Sequence, residues 1–242
     1  MEDKKLIVID CDGVLYPKEK LPTKEIVCAV RKAFEKKGIS WEYVNDCLVE
    51  FNKSGKKGMF NFITTVARAS YVGVDELSRQ IAEEMDYSRI APNPQLLEKI
   101  KKIQKKYEVC IYTNNTKYHL EKVYQRLFGC SFWETEIPAF HIETIKNKDV
   151  YCAKQSKESV WFLSKFFAVN PENMMFVDDT ISVLDSVREQ GASILFVNQN
   201  FNLSDALDYI EQISSNKQRI CRHGRTPFDR MYKRDSFTQE LF

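Results

Sequence analysis

The sequence has few of the residues that mark fibrous or low-complexity chains. Its 242 residues include only eight glycines and seven prolines, which excludes collagen-like and low-complexity architectures. An excess of one charge is also lacking, because 36 lysines and arginines face 34 aspartates and glutamates. A formal net charge of +2 gives no whole-chain reason to expect a nucleic-acid partner. Apolar residues make up 43% of the chain, which argues against disorder as its main state.

Long apolar runs and paired cysteine motifs are missing as well. The longest apolar run is Ile26–Val30, far shorter than the roughly 20 residues of a membrane-spanning helix. Near the start, Leu6–Ile9 is cut off by Asp10, so we expect no secretory signal peptide. The seven cysteines are odd in number and contain no C-x-x-C pair, so no zinc site or disulfide framework is predicted. These absences favour a reducing, cytoplasmic setting without membrane association.

Four short apolar runs have the composition of buried parallel strands. They are Leu6–Ile9, Val109–Tyr112, Met174–Val177 and Ile194–Val197, each followed by a polar residue. Helical patterns lie between them over roughly 93–106, 118–127, 156–167 and 181–189. Asn93-Pro94 is typical of a helix start, and Ser156 can cap another helix. This alternation predicts an α/β fold with a parallel sheet.

The interval between the first two strands is much longer than one crossover helix needs. Within it, helical patterns cover 23–37, 41–52, 59–69 and 74–85, and glycines separate them. The sequence therefore predicts a helical insertion over 17–91, carried by a core made of 1–16 and 92–213. The stretch 214–242 holds seven lysines and arginines against three acids. We expect a basic tail there, either solvated or binding a polyanion or a partner protein.

Polar side chains follow the carboxyl ends of the predicted strands. They are Asp10 and Asp12 after the first strand, Thr113 and Asn114 after the second, Lys154 before a helix, and Asp178 and Asp179 after the third. Because parallel strands present their carboxyl ends at one edge of the sheet, we expect these groups to converge. Gathered carboxylates raise one another's pKa values, and Mg²⁺, which prefers oxygen ligands, relieves that repulsion. Lysine suits phosphate oxygens, so the set is typical of phosphoryl transfer.

These motifs resemble those of the haloacid dehalogenase (HAD) superfamily of phosphatases. The segment DCDGVLY (10–16) resembles the first motif, Thr113 the second, Lys154 the third and Asp178-Asp179 the fourth. All four occur in the family's order, and the resemblance covers roughly 4–200. It implies a Rossmann-like three-layer core with a parallel sheet and an inserted all-helical cap, the C1 cap of subfamily I.

The resemblance also implies a role for each motif residue. Asp10 would attack phosphorus to form an aspartyl-phosphate, and Asp12 would protonate the leaving oxygen and then activate water. Thr113 and the Asn114 backbone N–H would hold phosphate oxygens, and Lys154 would pair with Asp10 and the phosphate. The Mg²⁺ ligands would be Asp10, the Asp12 carbonyl, Asp178 and Asp179. The implied substrate is a small phosphorylated metabolite.

A narrower resemblance is to the pyrimidine 5′-nucleotidase branch of this superfamily. Tyr16-Pro17, the segment DYSRIAP (86–92) and His119 after Thr113-Asn114 are similar to that branch. The segment 56–65 departs from the branch's glycine–threonine segment. The resemblance implies a nucleoside 5′-monophosphate as substrate, with pyrimidine favoured.

Other functions remain open from the sequence. A sugar-phosphate phosphatase or a phosphomutase shares the motifs, whereas Asp12 and the Asp178-Asp179 pair argue against a 2-haloacid dehalogenase. A further departure is Val183, four residues after Asp179, where family members often carry Asp or Asn. We expect Val183 to weaken support of the metal site. This leaves a weakly active or inactive regulatory or binding protein as an alternative of another class.

Several side chains outside the motifs also suggest roles. We expect His119 to be structural or to support the site rather than to act in catalysis. A cluster of cations in the insertion either steers an anionic substrate or faces solvent; its members are Lys53, Lys56, Lys57 and Arg68. Aromatic residues at helical positions of the insertion are expected mainly in its core, with one or two able to stack on a base. They are Trp41, Tyr43, Phe51, Phe60 and Phe62.

Overall fold

The computed structural model describes residues 4–55 and 57–220. In this part of the chain the strands are β1 (Leu6–Ile9), β2 (Glu108–Tyr112), β3 (Ala139–Phe140), β4 (Lys146–Asn147), β5 (Val150–Tyr151), β6 (Met174–Asp178) and β7 (Ser193–Phe196). Five of them form a parallel sheet in the order β3-β2-β1-β6-β7, and β4 and β5 form an antiparallel hairpin. The predicted α/β fold with a parallel sheet is confirmed.

Helices cover both faces of the sheet and fill the interval after β1. They are α1 (Thr23–Lys36), α2 (Trp41–Lys53), α3 (Met59–Ala69), α4 (Val74–Glu84), α5 (Pro94–Gln104), α6 (Lys117–Phe128), α7 (Lys157–Phe167), α8 (Ile181–Arg188) and α9 (Leu203–Ile220). None of the described helices combines the length and apolar composition that crossing a membrane requires.

Strand β1 lies at the centre of the sheet, and its side chains alternate between two apolar cores. Ile7 and Ile9 belong to the core that α5, α6 and α9 cover, whereas Leu6 and Val8 belong to the core under α7 and α8. The result is a three-layer arrangement. The chain continues from β1 to β2 on one side and later to β6 on the other, so the strand order reverses at β1. This reversal opens a crevice at the carboxyl end of β1.

The four helices α1–α4 form the predicted helical insertion and pack around an apolar cluster of their own. Phe34 of α1, Val44 of α2, Val66 of α3 and Leu77 of α4 are all fully or almost fully buried in that cluster. Asn61 of α3 links the insertion to the hairpin, as described below. The insertion therefore has an apolar core of its own, and it faces the loop after β2.

Strand β3, the hairpin β4–β5 and helix α9 were not predicted. Each of these three strands has two residues, and α9 follows β7 on the sheet face that α5 covers. Helix α9 continues to Ile220, beyond the predicted start of the basic tail at 214. The remainder of that predicted tail, 221–242, lies outside the described residues.

Candidate active site

A buried ion cluster lies where β1 and β6 end. Lys154 Nζ is 2.5 Å from Asp10 Oδ1 and 2.7 Å from Asp178 Oδ2, and the three side chains are almost completely buried. Burial has the largest effect on the pKa of Asp10 and raises it. The charge of Lys154 lowers this pKa, the charge of Asp178 raises it, and the resulting pKa of Asp10 is about 8. Burial lowers the pKa of Lys154, but the two carboxylates outweigh it and keep this pKa above its ordinary value. Lys154 is therefore a fixed cation between two carboxylates.

The position of Lys154 depends on the loop after β2. The Lys154 backbone N–H donates to Asn114 Oδ1 at 2.7 Å, and Asn114 Nδ2 donates to Gln155 Oε1 at 3.1 Å. Asn114 thus uses both ends of its side-chain amide to fix the loop that presents the lysine. The sequence singled out Asn114 for its backbone N–H, and this side-chain contact was missed.

Asp12 is surrounded by donors. Its Oδ1 accepts from the Tyr16 hydroxyl and lies 2.7 Å from His119 Nε2. Its Oδ2 accepts from Thr113 Oγ1 at 3.2 Å and from Asn115 Nδ2 at 3.1 Å. Burial raises the pKa of Asp12, but these contacts, with His119 foremost, outweigh burial and hold that pKa well below its usual range. Asp12 is thus oriented from several sides and favoured as a carboxylate.

His119 connects Asp12 to a second buried hydroxyl. The ring is 2% exposed, and its Nδ1 lies 2.9 Å from the Tyr87 hydroxyl, which comes from the end of the insertion. Burial raises the pKa of Tyr87 well above its ordinary value, so the hydroxyl stays neutral. The sequence indicates His119 by its place in the first turn of the helix after Thr113, but it gives no partner for the ring. Tyr87 lies in the segment DYSRIAP (86–92), which the sequence indicates only through its similarity to the nucleotidase branch.

The remaining carboxylates form a group that can hold a metal ion. Oxygens of Asp10, Asp178 and Asp179 all lie within 4.8 Å of one another. Besides Lys154, the cation in contact with them is Lys18, whose exposed Nζ lies 3.2 Å from Asp179 Oδ2. Burial is the main cause of the raised pKa of Asp10, and the nearby carboxylate of Asp178 adds to it, so a cation bound here would favour the ionised form of Asp10. This all-oxygen donor set fits a hard divalent cation such as Mg²⁺.

Thr180 and Gly13 fix the orientation of Asp179. Thr180 Oγ1 donates to Asp179 Oδ1 at 3.0 Å, and the Thr180 backbone N–H donates to Asp178 Oδ1 at 2.9 Å. Gly13 has φ +79°, and a Cβ added to it would lie 2.2 Å from Asp179 Oδ2. Val183 is buried in α8, and its side chain has no polar atom that could support a metal ligand. The Thr180 hydroxyl, a contact that the sequence did not indicate, thus supports Asp179.

A cleft separates the insertion from the loop after β2. Its core wall consists of Asn114, Asn115, Thr116 and His119, and its other wall consists mostly of apolar side chains from α1, α3 and α4. Phe60 is the member of the predicted aromatic set that lines this cleft. Of the others, Phe51 and Phe62 pack edge to face in the core of the insertion, Trp41 faces Arg31, and the Tyr43 hydroxyl donates to a backbone carbonyl.

Among the described residues, the cations predicted to steer substrate do not line the cleft. Lys53 pairs with Glu50 at 2.7 Å, and Arg68 lies 3.7 Å from Asp149, both on the exposed surface. Lys57 is exposed, and Lys56 lies outside the described residues. A role in steering stays a prediction for these side chains.

Comparison with known proteins identifies the family. A family model described as haloacid dehalogenase-like hydrolase matches residues 4–189. The chain therefore belongs to the haloacid dehalogenase-like hydrolases, as the resemblance of its motifs predicted. No protein of curated function matches the sequence.

Several solved structures share the fold. CbbY from Rhodobacter sphaeroides in complex with phosphate has a TM-score of 0.54 and 16% identity, over 81% of this chain and 86% of that one. A mutant of the same protein in complex with xylulose-(1,5)bisphosphate has a TM-score of 0.53 and 16% identity, over 83% and 91% of the chains. A hydrolase from Pseudomonas syringae has a TM-score of 0.54 and 15% identity, over 87% and 99%. Identities this low establish a shared fold and no shared substrate.

Proposed function

We propose that this chain is a Mg²⁺-dependent phosphomonoester hydrolase that works through an aspartyl-phosphate. The observation that supports this most is the contact of Lys154 with both Asp10 and Asp178 at 2.5 Å and 2.7 Å, beside the separately held Asp12. One buried carboxylate is thereby set against a fixed cation, and a second carboxylate lies next to it in a hydrogen-bonding network. This division suits nucleophilic attack by one group and proton transfer by the other.

The proposed reaction has two halves. In the first, Asp10 attacks phosphorus, the bond to the leaving oxygen breaks, and Asp12 gives that oxygen a proton. In the second, water attacks the aspartyl-phosphate, Asp12 takes a proton from the water, and Asp10 is restored with release of phosphate. The ionised form favoured for Asp12 suits the second half. For the first half, His119 at 2.7 Å is the neighbour that can share a proton with it.

The remaining motif residues bind and orient. Lys154 and the Thr113 hydroxyl stabilise charge on phosphate oxygens, together with the Asn114 backbone N–H. Asp10, the Asp12 carbonyl, Asp178 and Asp179 hold Mg²⁺. When bound, Mg²⁺ neutralises charge on the phosphate and on these carboxylates.

The proposed substrate is a small phosphorylated metabolite. The motif resemblance favours a nucleoside 5′-monophosphate, with pyrimidine first, acted on beneath a helical C1-type cap formed by 17–91. A sugar-phosphate phosphatase or a phosphomutase is the alternative within the same fold. A reducing, cytoplasmic setting is supported by the six described cysteines, which are unpaired.

Phosphate release tests the proposal. Purified protein with Mg²⁺ should release phosphate from at least one of a panel of nucleotides, sugar phosphates and aryl phosphates, and EDTA should stop the release. Asp10→Asn should reduce kcat at least about a thousandfold, since it removes the nucleophile. Asp185→Asn, on the exposed face of α8, is the matched control and should keep full activity. Release from no ester, or full activity in Asp10→Asn, would contradict the proposal.

A further inference from the structure

The cleft under the insertion begins at residues that also hold Asp12. Asn115 and His119 line the cleft, and their side-chain nitrogens lie 3.1 Å and 2.7 Å from the carboxylate of Asp12. In the proposed function Asp12 protonates the leaving oxygen. A substrate placed for that transfer therefore extends its leaving group into this cleft, so the cleft lining selects the leaving group.

The insertion wall of the cleft is apolar. Ile26 and Val30 of α1, Phe60 and Ile63 of α3 and Ile81 of α4 line it. Among the described residues of the lining, His119 is the one ionisable side chain, and its two ring nitrogens face Asp12 and Tyr87. A second phosphate or a carboxylate on the leaving group would be buried there without a cation, at a large cost in free energy.

Several polar groups of the lining are already hydrogen-bonded within the chain. Both ends of the Asn114 amide are hydrogen-bonded, the Ser78 hydroxyl donates to the Val74 carbonyl at 2.8 Å, and the Thr116 hydroxyl accepts from the His119 backbone N–H at 3.3 Å. Among the described residues of the insertion wall Ser78 is the one polar side chain, so hydroxyls turned toward that wall would lose bonds to water and find few replacements.

We propose that this cleft is a leaving-group site for uncharged groups with an apolar face, such as aryl or branched alkyl alcohols. The inference rests on the proposed function and narrows it. Bisphosphates and other esters with a charged leaving group should therefore be the poorest substrates.

Binding of a matched pair of phosphonates tests the site without turnover. Phenylphosphonate and 4-carboxyphenylphosphonate differ by one charge at the end that enters the cleft. Calorimetry on the wild-type protein with Mg²⁺ should give a Kd at least about tenfold higher for the carboxylated compound, because its charge is buried unpaired. Equal affinity, or tighter binding of 4-carboxyphenylphosphonate, would overturn the inference.

A cation added at the mouth of the cleft should remove most of the preference. Met59 lines the cleft and is 51% exposed, whereas Val49 on α2 is 53% exposed and lies elsewhere. Met59→Lys should tighten binding of 4-carboxyphenylphosphonate by about tenfold, through pairing with the carboxylate. Val49→Lys should leave both affinities unchanged. An effect of equal size in both variants would indicate general attraction of anions and would overturn the assignment to the cleft.

Turnover separates failure of this inference from failure of the proposed function. Phenyl phosphate should be hydrolysed with a kcat/KM at least about tenfold above that of 4-carboxyphenyl phosphate. Equal values would overturn the leaving-group site while leaving the hydrolase intact. No release from either ester, with the difference in phosphonate affinity preserved, would contradict the hydrolase and support the site.

Discussion

Asp12 is held by side chains from separate parts of the chain. Tyr16 comes from the loop after β1, Thr113 and Asn115 from the loop after β2, and His119 from α6. These contacts orient the carboxylate. Thr113 is also assigned to the phosphate oxygens, so its removal should impair both steps, whereas removal of Tyr16, Asn115 or His119 should mainly impair proton transfer.

Substitution of His119 should have an effect that depends on the leaving group. For an alkyl phosphate, whose leaving oxygen needs a proton, His119→Ala should reduce kcat about 30-fold, since general acid catalysis contributes about 10²–10⁴-fold. For 4-nitrophenyl phosphate, whose leaving group departs as an anion, the loss should be much smaller. His119→Gln can still donate to Asp12 and should recover part of the activity on the alkyl ester. Equal losses on both esters would point to misfolding, as would a lowered Tm.

Replacement of Gly13 should affect the metal site. In Gly13→Ala the new Cβ would lie 2.2 Å from Asp179 Oδ2 at φ +79°, so Asp179 must move. We expect the Mg²⁺ concentration for half-maximal activity to rise about 10–100-fold, as when a supporting contact of a metal ligand is lost. Gly38→Ala is the matched control, because Gly38 has φ +72° but no atom within 4 Å of its added Cβ. A similar effect in both variants would attribute the loss to backbone strain alone.

The length of a strand decides whether its position can be predicted from the sequence. Strands β1, β2 and β6 each have at least four residues, and a polar side chain follows each of them, so their place and their role at the sheet edge were predictable. Strand β3 and the hairpin have only two residues per strand, too few for a periodic pattern. Their pairing arises from tertiary contacts, which a local pattern does not contain.

The hairpin matters because Asn61 of α3 pairs with it. Asn61 Oδ1 accepts from the Tyr151 N–H at 2.9 Å, and Asn61 Nδ2 donates to the Tyr151 carbonyl at 3.1 Å. Lys154 follows three residues later, so this contact joins the insertion to the segment that carries Lys154. Nothing in the sequence singled out Asn61, because its partner is the backbone of a residue 90 positions away.

Asn61→Ala should therefore destabilise the protein and loosen the insertion. We expect a loss of about 1–3 kcal/mol in the free energy of unfolding, because the Tyr151 backbone groups lose their partner. Chemical denaturation measures this loss, and hydrogen exchange at β5 should become faster. Asn52→Ala, at an exposed position of α2, should change stability by less than about 0.5 kcal/mol. If both variants behave alike, the Asn61 contact does not hold the insertion.

At the scale of the whole molecule, the site depends on contacts between distant segments. The order of the motifs predicted that Asp10, Lys154 and Asp178 meet, because strand ends converge in any parallel sheet. The partners Lys18, Asn115 and Thr180 were not predictable in the same way. Their contacts depend on loop geometry and on side-chain rotamers, which only the folded chain determines.

Binding of Mg²⁺ should stabilise the entire fold, because its proposed ligands come from β1 and from the end of β6. Asp10, Asp178 and Asp179 lie close together only when both strands are paired, so the ion binds the folded state and hardly the unfolded one. At 100 times its Kd, Mg²⁺ should add about 2.7 kcal/mol to the free energy of unfolding, which thermal unfolding records as a higher Tm.

Paired substitutions show whether this stabilisation comes from the proposed site. Asp179→Asn removes a ligand that is separate from the Lys154 ion pairs, so the folded state should persist while the Mg²⁺-dependent rise in Tm becomes much smaller. Asp185→Asn removes a surface carboxylate paired with Arg188 and should leave the rise unchanged. The same rise in all three proteins would mean that Mg²⁺ acts elsewhere, and the carboxylates at the end of β6 would then have no part in binding it.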